Sequence, residues 1–327
     1  MSTNTKEVRR LALFISAITA ISLVLTGCSA PTSTQITNQQ PKTSQFVLNS
    51  FQDGQFLTPF EEGKPEMGLT LEAIANLSFL GTSSSDLQKA IDWAKANTDL
   101  LTSPGLKAAY IFTANAAGFA DDATVATALE ELKASIAADG TVADTNNFSY
   151  AWIIFGLVAA NESELANTVA KKLITNAEIS GGYKYTLGDT QSFESADVTS
   201  FALMAIQSTL GFGSEADNTA KEFSISKSGK WLQDNLVDGT HYEAYENLDL
   251  GGTSYGIMAL ISNGQDATAL VDWLSARINK EDAGIPSPFS AGASDVFTTV
   301  QALLPLSSLT FLDLLNQINF ERNKNNT

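Results

Sequence analysis

The sequence predicts an all-α domain built from about six repeats of one helix pair. Hydrophobic residues make up 44% of the 327 residues and charged residues 17%, which is typical of a packed chain and excludes a disordered one. A unit recurs along the chain: an amphipathic helix, a glycine-rich turn and a more apolar helix. The apolar helices are predicted to begin near Met67, Pro104, Phe148, Asp197, Gly252 and Asp295.

The two helices of each unit differ in how their apolar residues are distributed. In the first helix they recur at i, i+3, i+4 and i+7, as in Leu87, Ala90, Ile91 and Ala94, so one face stays in water. The second helix is apolar on nearly all sides, as in residues 152–158. A helix that is apolar all round is buried all round. We therefore expect an inner ring of dry helices inside an outer ring, either closed or continuing as an open solenoid.

Short glycine turns join the two helices of a unit. Clear copies are Asp53-Gly54, Asp139-Gly140, Gly181-Gly182, Asp238-Gly239 and Asp282-Ala283-Gly284, whereas the second unit has only Ser103-Pro104-Gly105. Aromatic residues follow several of these turns, namely Phe56, Tyr183 and Tyr242. We expect these rings to pack between neighbouring hairpins.

The N-terminus has the pattern of a secretory signal. Lys6, Arg9 and Arg10 precede an uncharged run over 11–26, whose 16 residues are short for a membrane span of about 20. The run ends in LTGCS (25–29), which resembles a bacterial lipobox, and this resemblance implies lipidation of Cys28. The sequence thus predicts a lipoprotein signal peptide (1–27), a lipidated Cys28 with a polar tether (28–44), a helical domain (45–320) and a polar tail (321–327). The protein is expected on the extracytoplasmic side of the cell membrane, with the lipid bilayer as a partner.

Charge and rare residues exclude several classes of function. Lys and Arg number 19 against 36 Asp and Glu, a net charge of −17, and such an acidic surface repels nucleic-acid backbones. The chain has one Cys and one His, which excludes an internal disulfide and a zinc site with several Cys or His ligands. His241 lies in a turn, and we interpret it as a surface residue.

Three segments resemble helices of the prenyltransferase/squalene-cyclase repeat superfamily: ESADVTSFALMAI (194–206), WLSARINKEDAG (273–284) and DVFTTVQAL (295–303). The resemblance extends over about residues 46–315 and implies an α/α toroid of six hairpins. The superfamily includes terpene cyclases, protein prenyltransferases and vitamin B12 carriers of the intrinsic-factor type. A fold of this kind supports several functions, so the function depends on the site.

The catalytic motifs of these relatives do not match this sequence. It lacks the Asp, Cys and His set of the prenyltransferases and the Asp-x-Asp-Asp run of the squalene–hopene-type cyclases. Asp121-Asp122 is the closest carboxylate pair, and its position between helices suggests capping. Glu194 with Asp197, or Glu243 with Glu246, would suit a carboxylate-pair glycosidase or lyase. That enzyme, a divergent terpene cyclase and a structural surface protein with a plugged ring remain alternatives.

We expect a noncatalytic protein that binds a small molecule, such as a corrinoid, or a protein partner. The site would be the mouth where the inner helices begin, since helix N-termini suit anionic or polar groups. The candidate ligand-binding residues are Asn147, Tyr150, Glu194, Asp197, Ser200, Thr253, Tyr255, Asp295 and Thr298. Asp197 and Asp295 also suit helix caps. No catalytic residue, metal or cofactor is assigned.

Overall fold

The computed structural model describes residues 40–58, 61–143, 145–187, 191–244, 247–288 and 290–325. The predicted signal peptide, Cys28 and most of the predicted tether lie outside these ranges. The described α-helices are α1 (Gln40–Ser50), α2 (Met67–Phe79), α3 (Ser85–Ala96), α4 (Pro104–Ala117), α5 (Ala123–Ala134), α6 (Asn147–Ala159), α7 (Ser163–Ile174), α8 (Ala196–Gln207), α9 (Glu215–Asp234), α10 (Leu250–Ser262), α11 (Thr268–Ser275), α12 (Val296–Ala302) and α13 (Phe311–Asn325). Two 3₁₀ turns cover Thr98–Leu100 and Pro305–Ser307.

Six helices form a closed inner ring: α2, α4, α6, α8, α10 and α12. Each packs against the next, and α12 packs against α2. The ring is therefore a closed α/α toroid rather than an open solenoid. The six predicted helix starts are confirmed to within two residues, because the all-round apolar stretches coincide with buried helices.

Neighbouring inner helices run in the same direction with a constant stagger. The Thr113 hydroxyl on α4 donates to the Leu71 carbonyl on α2 (3.0 Å), and the Asn76 amide on α2 donates to the Val300 carbonyl on α12 (3.2 Å). In both pairs the donor residue is the tenth after the N-terminal cap of its own helix. The acceptor carbonyl belongs to the fifth residue after the N-terminal cap of the neighbouring helix. All six inner helices consequently begin at one end of the ring.

The outer helices are paired differently from the predicted repeat. Each inner helix packs chiefly against the outer helix that follows it, and α1 packs against α12. Phe46 of α1 lies against the turn before α12, where a Cβ added to Gly284 would be 2.8 Å from its ring. The first outer helix thus completes the last pair. It also begins at Gln40, within the segment predicted as tether, because Thr43 and Ser44 are buried.

The glycine turns are tied to the inner helices by one repeated hydrogen bond. The backbone N–H after the turn donates to a hydroxyl four residues beyond the helix cap: Phe56 to Thr70, Val142 to Tyr150, Tyr183 to Thr199, Tyr242 to Thr253 and Ile285 to Thr299, all at 2.9–3.0 Å. The rings of Phe56, Tyr183 and Tyr242 are buried, as predicted.

Three short antiparallel hairpins follow the turns, a feature that the sequence did not predict. They are β1 (Tyr183–Leu187) with β2 (Gln191–Ser195), β3 (Tyr242–Ala244) with β4 (Asn247–Asp249), and β5 (Ile285–Pro286) with β6 (Ser294–Asp295). Tyr183 pairs with Ser195, Tyr242 with Asp249 and Ile285 with Asp295, so each hairpin ends at the start of an inner helix.

Helix α13 closes the end of the ring where the inner helices finish. Phe311 is fully buried, and its ring lies 5.4–6.5 Å from rings on α4, α6, α8 and α10, namely Phe112, Trp152, Phe155, Phe201 and Tyr255. The Arg322 guanidinium donates to the carbonyl of Ala159 at the end of α6. The predicted tail 321–327 is therefore helical as far as Asn325.

No single helix in the described ranges is both long and apolar enough to cross a membrane. The bent pair 296–307 and 311–324, whose halves differ in direction by 71°, reaches that length and composition only when the halves are taken together.

Candidate functional site

The opposite end of the ring, where all six inner helices begin, is the candidate site, and we call it the mouth. Since the helices share one direction, equivalent positions form layers across the interior. The sixth residues after the helix caps form the floor of the mouth: Glu72, Ala109, Trp152, Phe201, Tyr255 and Gln301. Trp152 and Phe201 are 5.1 Å apart between ring centroids, and Phe201 and Tyr255 are 4.8 Å apart.

Glu72 and Tyr255 are joined across the ring. The Tyr255 hydroxyl lies 3.1 Å from Oε1 and 3.0 Å from Oε2 of Glu72, and it donates to that carboxylate. Helices α2 and α10 are not neighbours in the ring, so the bond spans the interior. Glu72 is 6% exposed, and burial raises its pKa to about 7 although hydrogen bonds from Tyr255 and Asn76 act in the other direction.

Two more acids lie on the α8 and α10 side of the mouth. Burial, with the nearby charge of Asp249 as a smaller cause, raises the pKa of Asp197 to about 7. Burial also raises the pKa of Asp249, although its carboxylate accepts the Gly252 N–H at 2.7 Å. Asp197 remains half-buried and accepts the Val198 N–H at 2.7 Å. This side of the mouth is therefore acidic and partly open to solvent.

These acids have no cationic partner in the part of the chain that the structure describes. The ion pairs found there lie elsewhere, such as Lys95 with Asp122 at 2.8 Å, and none includes Glu72, Asp197 or Asp249. Buried charges in proteins are usually paired. Next to Glu72, the Asn76 Oδ1 atom is buried without a hydrogen-bond donor. The mouth therefore carries acids that no described cation balances.

Two phenylalanines flank these acids, each at the second position after a helix cap. Phe148 of α6 is half-buried and stacks on Phe201, with centroids 4.4 Å apart and planes 15° apart. Phe297 of α12 is 41% exposed. Because α6 and α12 are opposite in a ring of six, the two phenylalanines lie on opposite sides of the mouth.

Of the nine predicted ligand-binding residues, the structure places Tyr255 in the floor of the mouth and Asp197 above it, in the first turn of α8. Six others make local structural bonds. Asn147 hydrogen-bonds Lys184 and Asn176, and the hydroxyls of Tyr150 and Thr253 accept from the turns that precede their helices. The Glu194 carboxylate accepts from Trp231 at 3.0 Å and from Ser180. Thr298 donates to Asp295, which caps α12. Ser200 is buried, and its hydroxyl lacks a partner among the described residues. Asp295 is a cap as expected, whereas Asp197 lies inside the first turn because Ser195 occupies the cap position.

The sequence analysis did not identify Glu72, which lies in the floor of the mouth. The signal was a single carboxylate in the otherwise uncharged run 67–79, at the same distance from its helix cap as Tyr255.

The remaining sequence candidates have structural roles. Asp122 caps α5, and its hydrogen bond with Lys95 is the largest cause that lowers its pKa to about 2. His241 is buried rather than on the surface, because its ring stacks on Trp273 with centroids 4.6 Å apart. Its Nε2 lies 3.5 Å from Glu243, while Glu246 lies outside the described residues. Among the residues described, no group of three or more His, Cys, Asp or Glu side chains is arranged to hold a metal ion.

Comparison with known proteins gives matches in structure alone. No protein-family profile and no curated protein matches the sequence. The structure of the type II terpene cyclase MstE from Scytonema superposes with a TM-score of 0.62 at 15% identity, over 83% of this chain and 97% of the cyclase. Haptocorrin in complex with Cbi superposes with a TM-score of 0.59 at 14% identity, over 84% of this chain and 67% of haptocorrin. A protein from Actinoplanes gives a TM-score of 0.58 at 11% identity. The chain thus has the same α/α toroid fold as these structures.

Proposed function

We propose that this protein is an extracytoplasmic, membrane-anchored binding protein that holds a small molecule in its mouth without converting it. One observation carries the proposal. Glu72, Asp197 and Asp249 are buried to differing degrees at the mouth with no cation to pair with among the described residues, and Asn76 Oδ1, one helix turn after Glu72 on α2, lacks a donor. A ligand with hydrogen-bond donors would satisfy groups that the protein leaves unsatisfied.

Anchoring through Cys28 would act through a short tether. Helix α1 ends at Ser50, beside the turn that leads to the mouth end of α2, so Gln40 lies towards the other end of the ring. Eleven residues separate Cys28 from Gln40, which allows at most about 40 Å of extended chain. A lipid on Cys28 would therefore hold the helical domain within about that distance of the bilayer.

A corrinoid is one ligand to test, because haptocorrin has the same toroid fold and was solved with Cbi bound. The test is native mass spectrometry of the detergent-solubilised protein with corrinoids, glycans and isoprenoids. We expect one class to give a bound species that is lost in the double variant Glu72→Gln, Asp197→Asn and kept in the control Glu222→Gln, whose side chain is exposed. A bound species that persists in the double variant, or no bound species, would contradict the proposal.

The anchor has a separate test. Replacing Cys28 with Ser should move the protein from the membrane fraction to the soluble extracytoplasmic fraction and abolish labelling by radioactive palmitate. A Cys28→Ser protein that stays in the membrane fraction would exclude lipidation at this residue as the anchor.

An acid-catalysed enzyme is the second candidate, and one observation favours it: Glu72, with a pKa of about 7, adjoins an aromatic interior. Phe311 fills the centre of that interior, which favours binding at the mouth, or a structural role, over cyclisation of a long substrate. Incubation with geranylgeranyl compounds distinguishes these functions. A cyclised product that Glu72→Gln abolishes would establish the enzyme.

A further inference from the structure

We propose that the ligand of the mouth is a small organic cation, with a substituted ammonium or a guanidinium group as the part that enters. The inference rests on the proposed binding function and deepens it by naming the chemical class of the ligand. It depends on two independent features of the mouth, its unpaired acceptors and its aromatic walls.

The unpaired carboxylates of the mouth favour a ligand that carries positive charge. Ionised Glu72 has the Tyr255 hydroxyl as a donor, which supplies a hydrogen bond but no charge. Asn76, one helix turn after Glu72 on α2, also hydrogen-bonds that carboxylate without supplying charge, and its Oδ1 atom is buried with no donor. Asp197 and Asp249 add two carboxyls nearby. An anionic ligand would face these acids, which reverses the preference that the bare helix N-termini suggested.

The aromatic side chains favour a cation that carries carbon. Phe148 exposes part of its ring while its other side stacks on Phe201, and Phe297 is exposed across the mouth. A cation over an aromatic face is attracted by the negative centre of the ring, and the methyl or methylene groups of an organic cation also gain from leaving water. A small hydrated metal ion gains little from these rings. Among the described residues there is also no cluster of three metal-binding side chains.

Binding should depend on pH, because the acids must be ionised to attract the ligand. The titratable groups around the floor are Glu72, Tyr255, Asp197, Asp249 and, at the start of α2, Glu66. Burial raises the pKa of all five, and brings those of Glu72 and Asp197 to about 7. At pH 5.5 both Glu72 and Asp197 are mostly protonated, whereas at pH 8 both are mostly ionised. The cation should therefore bind more tightly at pH 8.

Choline and its carbon isostere 3,3-dimethylbutan-1-ol provide a direct test, because they have nearly the same shape and differ by one charge. We expect isothermal titration of the detergent-solubilised full chain to show choline binding at pH 8, with at least tenfold weaker binding of the isostere. Choline binding should weaken at least tenfold in Glu72→Gln and at pH 5.5, and several-fold in Phe297→Ala. The control Glu222→Gln should bind as the unmodified protein does.

Three results would overturn the inference: equal binding of choline and its isostere, choline binding that Glu72→Gln leaves unchanged, or no choline binding. If choline fails while a corrinoid, glycan or isoprenoid binds in a way that Glu72→Gln, Asp197→Asn abolishes, the cation inference is wrong and the binding function stands. If no compound of either set binds, both are wrong. Matching circular dichroism spectra and unfolding midpoints at or above that of the unmodified protein would show that the variants are folded.

Discussion

The two ends of the ring are built from the same six helices but are completed in opposite ways. From the end where the helices finish, the chain supplies its own occupant: Phe311 packs beneath the floor of the mouth against Trp152, Phe201 and Tyr255, and Arg322 donates to the carbonyl of Ala159 at the end of α6. Where the helices begin, Glu72 and Asp197 are held in the protein without a cation among the described residues. The closed end therefore stabilises the fold, whereas the unpaired acids at the mouth lower its stability and leave groups that a ligand could bind.

Removing Phe311 should have the largest effect on stability, and would test whether one end is filled by the protein itself. Phe311→Ala leaves a cavity among five aromatic rings, and we expect a loss of about 3–5 kcal/mol in the free energy of unfolding, measured with urea. Phe320→Ala is the matched control on the same helix, because Phe320 is 66% exposed and should change stability by less than about 0.5 kcal/mol. Similar losses for both variants would show that Phe311 is not packed as described.

Removing the Glu72 charge tests whether the mouth gives up stability. The raised pKa means that folded Glu72 binds its proton more tightly than in the unfolded chain, so it destabilises the fold as pH rises from about 4.5 to about 7. Glu72→Gln should therefore be more stable than the unmodified protein by about 3 kcal/mol at pH 8, and about equal to it at pH 4. Glu222→Gln should show no such difference. A destabilised Glu72→Gln at pH 8 would mean that the carboxylate is stabilised by its surroundings.

Both ends were only partly predictable from sequence, for different physical reasons. The helix starts near Met67, Pro104 and Phe148 follow from local apolar patterns, and these were confirmed. The sequence analysis placed Phe311, Leu314 and Leu315 inside the helical domain (45–320) but did not predict that their helix, α13, closes the ring.

The sequence predicted where the mouth lies, at the starts of the inner helices, but not which side chains contact each other there. Tyr255 was identified from its position near a helix start, whereas its partner Glu72 lies 183 residues away and meets it only because the ring closes. Local patterns carry no information on such a contact.

The threonine bonds that fix the turns at the mouth should have an intermediate effect. Thr253→Val leaves the Tyr242 N–H without its acceptor inside the protein, and we expect unfolding to become easier by about 1–2 kcal/mol. Thr219→Val on α9 is a control, since Thr219 is exposed and bonds only within its own helix turn. Equal thermal midpoints for the two variants would argue against a structural role for the repeated hydroxyl.

The Arg322 bond at the closed end should contribute least. Arg322→Met keeps most of the side-chain packing and loses the donors to Ala159 and Asn319, and a loss of about 1 kcal/mol is expected in urea unfolding. Lys280→Met, at an exposed position, serves as the control. If Arg322→Met were neutral, α13 would be held by its apolar side chains alone.

The most direct test of the account is the titration of Glu72 by carbon-13 NMR in the ligand-free protein, with the resonance assigned by comparison with Glu72→Gln. We expect a midpoint near pH 7, because the carboxyl is buried beside Tyr255 without a cation among the described residues. A midpoint near the ordinary glutamate value of about 4.3 would contradict it, since the mouth would then be solvated or its acids already paired.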